Sequence, residues 1–168
     1  ENNAGGFKKA AFEVVSYASA VAKTLQTEVV AVVLGSMTDE VAATLGKYGA
    51  GKVVKVGDAT LDTFEAHAHA KALAAVAQAE SAQVVVLANT YSGKSVAPRL
   101  SVKLGAALAA GAVALPELKG DGFQVLRSVF SNKGFAHVQL NTAVKIISLT
   151  PNSYKVEEQG SAAPVNVA

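Results

Sequence analysis

Cysteine and tryptophan are both absent from this 168-residue sequence. The lack of cysteine excludes disulfide scaffolds, thiolate nucleophiles, thiolate zinc sites and iron–sulfur ligation. Aromatic residues make up only 6% of the chain, which argues against a stacking platform for single-stranded nucleic acid. No apolar stretch approaches the roughly 20 residues of a spanning helix, so we expect no membrane insertion.

Charged residues are few and evenly balanced. They form 17% of the chain, and 15 basic and 13 acidic side chains give a formal charge of +2. Because the two signs are mixed along the sequence, the pattern predicts no nucleic-acid or membrane-surface partner. Hydrophobic residues reach 51%, which indicates a globular chain rather than a disordered one. The length predicts one domain.

Three segments rich in β-branched residues, at 28–34, 52–56 and 83–89, are predicted strands, and EVVAVVL at 28–34 is a continuous β-branched run. Such runs are typical of strands buried on both faces of a parallel sheet. Helical periodicity separates them. The predicted helices cover 8–26, 38–45 with Thr38 or Asp39 as cap, 58–80, and a segment that Ser95 caps and that extends to Leu108.

After Gly111 the sequence predicts strands alone. The segments 111–118, 123–130, 135–140 and 143–149 are joined by GDG and SNKG turns or by short links. Strand–helix alternation followed by hairpins predicts an α/β fold: an open, mostly parallel sheet flanked by helices in three Rossmann-like layers, with an antiparallel strand extension at the C-terminal end. Beyond Pro151 periodicity is lost, which predicts a linker or tail.

The segment from Ala88 to Ser95, ANTYSGKS, follows a strand and precedes a helix. In a P-loop at that place the backbone N–H groups hold phosphates, the Lys reaches the terminal ones and the Ser binds magnesium. Here Ala88 replaces the first glycine, and Pro98 removes an N–H early in the predicted helix. The alternative is a strand-to-helix turn that needs Gly93. Together with Gly35 and Ser36, this turn lies where open α/β sheets bind ligands.

We find no catalytic or metal-binding constellation in the sequence. His67 and His69 are two residues apart on a predicted helix and so point to different faces, and no Ser or Asp pattern marks His137 as a base. Helix capping and dipole effects account for the candidate carboxylates without catalysis. These carboxylates are Glu13, Asp39, Glu40, Asp58, Asp62 and Glu65.

Three motifs resemble the N-terminal domain of the electron transfer flavoprotein α subunit: KYGA at 47–50, the SGK turn at 92–94 that continues into APRL at 97–100, and PN at 151–152. The order of segments matches over nearly the whole chain. The resemblance implies an adenine nucleotide α-hydrolase-like fold that does not necessarily keep a nucleotide site. The candidate cofactor positions, all vestigial parts of a nucleotide loop, are then Gly35, Thr90, Ser92, Gly93 and Lys94.

The resemblance also implies a domain over 1–154 and, over 155–168, a linker toward an absent C-terminal FAD-binding domain. The family opens with a hydrophobic strand that ends in an acidic residue, so the resemblance implies that Glu1 is that residue and that the strand would precede it. The complete protein is expected to be a heterodimeric electron carrier, not an enzyme, whose FAD is not bound by this fragment. Its expected partners are the β subunit, acyl-CoA and other dehydrogenases of fatty acid β-oxidation, and a quinone oxidoreductase. Its expected location is the bacterial cytoplasm or, in a eukaryote, the mitochondrial matrix.

Two other readings stay open from the sequence. A free-standing nucleotide-binding domain of the universal-stress-protein type would share the strand–helix alternation, although the spacing of Gly93 and Gly105 after Asn89 does not fit its phosphate loop. In a P-loop NTPase, Lys94 would be essential for nucleotide binding.

Overall fold

The computed structural model describes residues 2–3, 5–119 and 122–168. Two residues of the predicted GDG turn lie outside these ranges. Two short 3-10 segments, Thr44–Tyr48 and Ala59–Asp62, accompany the regular elements. The helices are α1 (Lys9–Leu25), α2 (Asp39–Ala43), α3 (Ala66–Ala79) and α4 (Tyr91–Leu104). The strands are β1 (Asn2–Asn3), β2 (Gly6–Phe7), β3 (Val30–Leu34), β4 (Lys52–Val56), β5 (Val84–Ala88), β6 (Ala107–Ala112), β7 (Glu117–Lys119), β8 (Gly122–Val129), β9 (Gly134–Gln139), β10 (Lys145–Leu149) and β11 (Val165–Val167).

Apart from the short β1–β2 pair, the strands form two sheets. The first is parallel throughout, in the order β3-β4-β11. The second begins with three parallel strands, β5-β10-β6, and continues through β8, which runs antiparallel to β6, β7 and β9. The predicted α/β class, mostly parallel with an antiparallel extension, is therefore confirmed. Hydrogen bonding divides the strands into two sheets, whereas the sequence predicted one.

Helix α1 contacts both sheets, one from each of two different faces. Its Val15 packs in a cluster with Val33 of β3 and Val53 of β4, while Tyr17 and Val21 pack with the strands of the larger sheet. Burying each such side chain contributes about 1.5–3 kcal/mol. The packing of this single helix therefore links the two sheets.

The predicted fourth helix is wrong at both ends. Thr90, not Ser95, occupies the N-cap, and the helix ends at Leu104 because Gly105 adopts φ 58°. Leu108, predicted to be helical, lies in β6. The four-residue spacing from Leu104 to Leu108 continued past a left-handed residue that ends the helix.

The predicted helix over 58–80 is interrupted. Asp58 caps a 3-10 segment by accepting a hydrogen bond from the N–H of Thr60 at 2.9 Å, and Thr63 is extended. Glu65 then caps α3 by accepting from the N–H groups of His67 and Ala68. Two successive acidic caps divide a segment whose apolar spacing is continuous.

Strand β10, which the sequence grouped with the antiparallel hairpins, lies between β5 and β6 and is parallel to both. Ile146 and Ile147 are both fully buried. Their adjacent burial is typical of a central strand covered on both faces.

The segment after Pro151 is packed against the domain, although the sequence predicted an aperiodic tail. The N–H of Ala163 donates to the carbonyl of Ala43, and the N–H of Val53 donates to that of Pro164. Residues 165–167 then pair with β4. That 155–168 leads toward a further domain stays a prediction. In the described part of the chain, no helix is both long and apolar enough to span a bilayer.

Candidate functional site

The first candidate ligand turn follows β3 at Gly35 and Ser36, and the carboxylate of Asp62 occupies it. Asp62 accepts hydrogen bonds from the backbone N–H of Ser36 at 2.6 Å and from its hydroxyl at 2.7 Å. These bonds hold the pKa of Asp62 below its usual value, and the bond from the backbone N–H contributes more than the bond from the hydroxyl. Gly35 has φ +94°, and a Cβ there would lie 2.4 Å from Asp62 Oδ1. The turn is therefore closed by an anionic side chain of the protein itself.

The second candidate turn joins β5 to α4 and is organised by Thr90. The Thr90 hydroxyl accepts a hydrogen bond from the N–H of Gly93 at 3.3 Å, and its carbonyl accepts from the N–H of Lys94 at 2.8 Å. Two early N–H groups of α4, which in a P-loop would face phosphate, thus have partners inside the turn.

Gly93 is required because the first turn of α4 lies directly on the end of β5. A Cβ at Gly93 would lie 1.8 Å from the carbonyl oxygen of Ala88. Ser92 is half-buried and Lys94 is exposed. The small separation between helix and strand leaves no room for a side chain at position 93.

Asn89 links β5 to the centre of the larger sheet. Its N–H donates to the carbonyl of Leu149 at 2.7 Å, and its side-chain oxygen accepts from the hydroxyl of Ser148, which is fully buried, at 3.0 Å. This amide satisfies a buried hydroxyl on β10, so its role is structural. Sequence reasoning did not single out Asn89, because the only signal was its place at the end of a strand.

The five predicted nucleotide-loop positions fall on these two turns. Gly35 follows a strand of the smaller sheet, whereas Thr90, Ser92, Gly93 and Lys94 follow a strand of the larger one. At the first turn the Asp62 carboxylate accepts from the N–H of Ser36, and at the second the Thr90 hydroxyl accepts from the N–H of Gly93. That these positions are vestiges of a nucleotide loop stays a prediction.

The three histidines do not come together. His69 contacts Phe64 with ring centroids 5.1 Å apart, while His67 and His137 are exposed. Within residues 2–3, 5–119 and 122–168 no group of three His, Asp or Glu side chains is arranged to hold a metal. The sequence attributed Glu13 to helix capping or dipole effects, and this interpretation is wrong. The side chain is only 2% exposed and accepts hydrogen bonds from two backbone N–H groups.

Comparison with known proteins decides the family. The profile of the electron transfer flavoprotein domain matches residues 1–168, the full sequence. The chain belongs to the electron transfer flavoprotein family. This result favours the resemblance over the universal-stress-protein and P-loop readings. The GKS segment, which the sequence predicted to be a turn, lies in the first turns of α4.

Several bacterial relatives of this electron transfer flavoprotein domain are α subunits. The electron transfer flavoprotein subunit alpha of Syntrophomonas wolfei subsp. wolfei is 28% identical over 165 residues, which cover 98% of this chain and 50% of the relative. The corresponding Bacillus subtilis subunit is 26% identical over 135 residues, 80% of this chain and 41% of its own length. The chain thus spans about half the length of these relatives.

A further relative comes from a differently named complex. The acryloyl-CoA reductase electron transfer subunit beta of Anaerotignum propionicum is 31% identical over 99 residues, 59% of this chain and 27% of the relative. All three names describe electron-transfer subunits. The family is one of electron carriers rather than enzymes.

Proposed function

We propose that this chain serves as the N-terminal domain of an electron transfer flavoprotein α subunit and packs against the β subunit as a structural platform. The family match over all 168 residues carries the proposal. The order of the KYGA, SGK–APRL and PN motifs supports the assignment to the α subunit. In the complete heterodimer, FAD supplies the electron-transfer chemistry, and the polypeptide supplies binding and orientation.

We place the FAD contacts outside these residues. Two observations support this part of the proposal: Asp62 closes the Gly35 turn, and the first turn of α4 at Gly93 lies directly on Ala88. A flavin pyrophosphate would meet a carboxylate at the first turn and find no space at the second. The five positions on these turns are then structural remnants of a nucleotide loop.

The complete protein would accept electrons from acyl-CoA and other dehydrogenases and pass them to a quinone oxidoreductase. A cytoplasmic location belongs to the same proposal and rests on the bacterial origin of the relatives. Residues 155–168 would lead toward the FAD-binding domain.

Titration of the purified chain with FAD tests the cofactor assignment. We expect no stoichiometric quenching of flavin fluorescence, with an intact electron transfer flavoprotein reconstituted in parallel as the positive control. Tight binding of FAD by the 168 residues would overturn the assignment. Titration with ATP and AMP should likewise give no binding heat, and micromolar affinity would instead support a nucleotide-binding domain.

Association with a β subunit tests the platform role. The chain is mixed with the electron transfer flavoprotein β subunit encoded in the same genome, and the affinity is measured by calorimetry. We expect a stable complex. If neither this chain nor its full-length parent binds that subunit, the proposed function is wrong.

A further inference from the structure

Strands β8 and β9 form a long hairpin at one edge of the larger sheet. Their register runs from Gln124 paired with Gln139 to Val129 paired with Gly134. Among the described residues, β8 is the only strand that pairs with β9. The outer side of β9 therefore presents unpaired backbone groups, which can accept another strand.

The outward face of this edge carries exposed aromatic groups. Residues alternate along β9, so that Val138 packs toward the core while Phe135 is 65% exposed. Phe130, at the start of the connecting turn, is 82% exposed. Aromatic side chains are enriched in interface cores and dominate binding energy. Because both rings are mostly exposed, they contribute little to the packing of the isolated chain.

The connecting turn is unusual in its backbone. Phe130, Ser131 and Asn132 have φ values of 50°, 53° and 66°, and the N–H of Lys133 closes the turn on the carbonyl of Phe130 at 3.1 Å. A bulky residue rarely adopts positive φ. Positive φ at Ser131 and Asn132 is ordinary in a hairpin turn, whereas at Phe130 it costs free energy, and such strained residues cluster at functional sites.

The charge of the hairpin indicates what kind of partner it accepts. From Gly122 to Gln139 the sequence contains Arg127, Lys133 and His137 but no Asp or Glu. Lys133 in the turn is exposed, whereas the Nε of Arg127 is buried. An acidic surface would be attracted to the hairpin. This charge favours an acidic partner.

We propose that the β8–β9 hairpin is the docking surface for the companion β subunit, which contributes an apolar strand edge flanked by acidic side chains. This inference rests on the proposed function, because the companion subunit is the partner that function requires. Strand addition would satisfy the open side of β9, and the two phenylalanines would fill the centre of the interface.

Matched variants of the chain test this surface against the β subunit from the same genome. Phe130→Ser with Phe135→Ser removes both aromatic anchors. Tyr91→Ser with Val102→Ser is the control, because these residues are 86% and 83% exposed on α4. We expect the hairpin pair to weaken binding at least about tenfold, and the control pair to change it less than about twofold.

The outcomes separate this surface from the proposed function. The docking surface is supported if the Phe130→Ser, Phe135→Ser variant loses binding and the control variant does not. If the wild-type chain binds and the hairpin pair binds equally well, or both pairs lose affinity equally, the docking surface is wrong and the proposed function stands. If the wild-type chain and its full-length parent both fail to bind, the proposed function itself fails.

Two further measurements address the occupant. Lys133→Glu should slow association with the β subunit at low salt, and faster association would overturn the acidic partner. Hydrogen exchange of the β9 amides should slow in the wild-type complex, a readout that needs no variant to fold. Sedimentation should show the chain alone as a monomer. A homodimer that the hairpin pair abolishes would identify a second copy as the occupant instead.

Discussion

The buried carboxylate of Glu13 accepts a hydrogen bond from the backbone N–H of Asn152 at 2.9 Å, and a second from that of Tyr154 at 3.0 Å. Asn152 has φ 63°, so the chain reverses direction immediately after the central strand β10. One side chain in the first helix thereby holds the turn that follows the last strand of the larger sheet.

Replacing Glu13 by alanine should destabilise the fold strongly. Both N–H groups would lose their charged acceptor, so we expect the free energy of unfolding to fall by about 3 kcal/mol in urea denaturation. Glu13→Gln should cost less because its amide oxygen still accepts. The exposed Glu28, replaced by alanine, is the control and should change stability by less than about 0.5 kcal/mol. Equal effects at the two positions would contradict this role.

The N-cap of α4 gives a second prediction. Thr90→Ala removes the hydroxyl that accepts from the N–H of Gly93, so we expect a loss of about 1 kcal/mol in thermal or urea unfolding. Ser95→Ala removes a hydroxyl bonded only within the helix, to the carbonyl of Tyr91, and should cost less than about 0.5 kcal/mol. If Ser95→Ala lost more stability than Thr90→Ala, Ser95 and not Thr90 would be the cap.

Gly93→Ala tests how closely α4 approaches β5. A Cβ there would lie 1.8 Å from the carbonyl oxygen of Ala88, so helix and strand would have to separate. We expect a loss of about 3 kcal/mol. At the exposed Gly57 the nearest atom to an added Cβ is the flexible Lys55 Cε at 3.9 Å, and Gly57→Ala should stay within about 1 kcal/mol of wild type. Unfolding free energies that do not differ would exclude the close contact.

The titration of Asp62 gives a prediction for pH. Its pKa is lowered by the two hydrogen bonds from Ser36, so the ionised form stabilises the fold above the unfolded-state pKa. That stabilisation is lost as the pH falls through the lower, folded pKa. Ser36→Ala removes the hydroxyl but keeps the backbone N–H. Carboxyl NMR titration should therefore show the pKa of Asp62 rising part of the way to its ordinary value.

Asp58 serves as the internal reference in that titration. Its pKa is lowered by bonds from Thr60, chiefly the backbone N–H, and these contacts are untouched by the substitution. An unchanged Asp62 titration curve in Ser36→Ala would show that the hydroxyl contributes nothing.

Strands whose sequences are continuous and β-branched could be predicted well. The segment 52–56 is a strand over those residues, and the predicted run at 83–89 contains β5 at Val84–Ala88. Burial on both faces leaves little freedom of composition, so the local sequence is enough. The Asp58 cap likewise follows from an acidic residue placed before a helical segment.

The errors arise where a distant contact overrides local preference. The segment ALAAGA has high helix propensity, yet it forms β6 because β10 pairs with it from nearly 40 positions further along the chain. The buried Glu13 could not be recognised either, since its partners, the N–H groups of Asn152 and Tyr154, are distant in sequence and carry no side-chain signal. At the candidate site, sequence located the two turns but not the carboxylate of Asp62 that closes one of them.

The parallel pairing of β11 with β4 bears on the order of folding. Strands β3 and β4 are close in sequence and can pair early, whereas Val165 must find Val53 across most of the chain. Contacts of such long sequence separation form slowly. During synthesis the smaller sheet would therefore remain open on the outer side of β4 until residues 165–167 leave the ribosome. In that interval the open side of β4 can pair with other nascent chains.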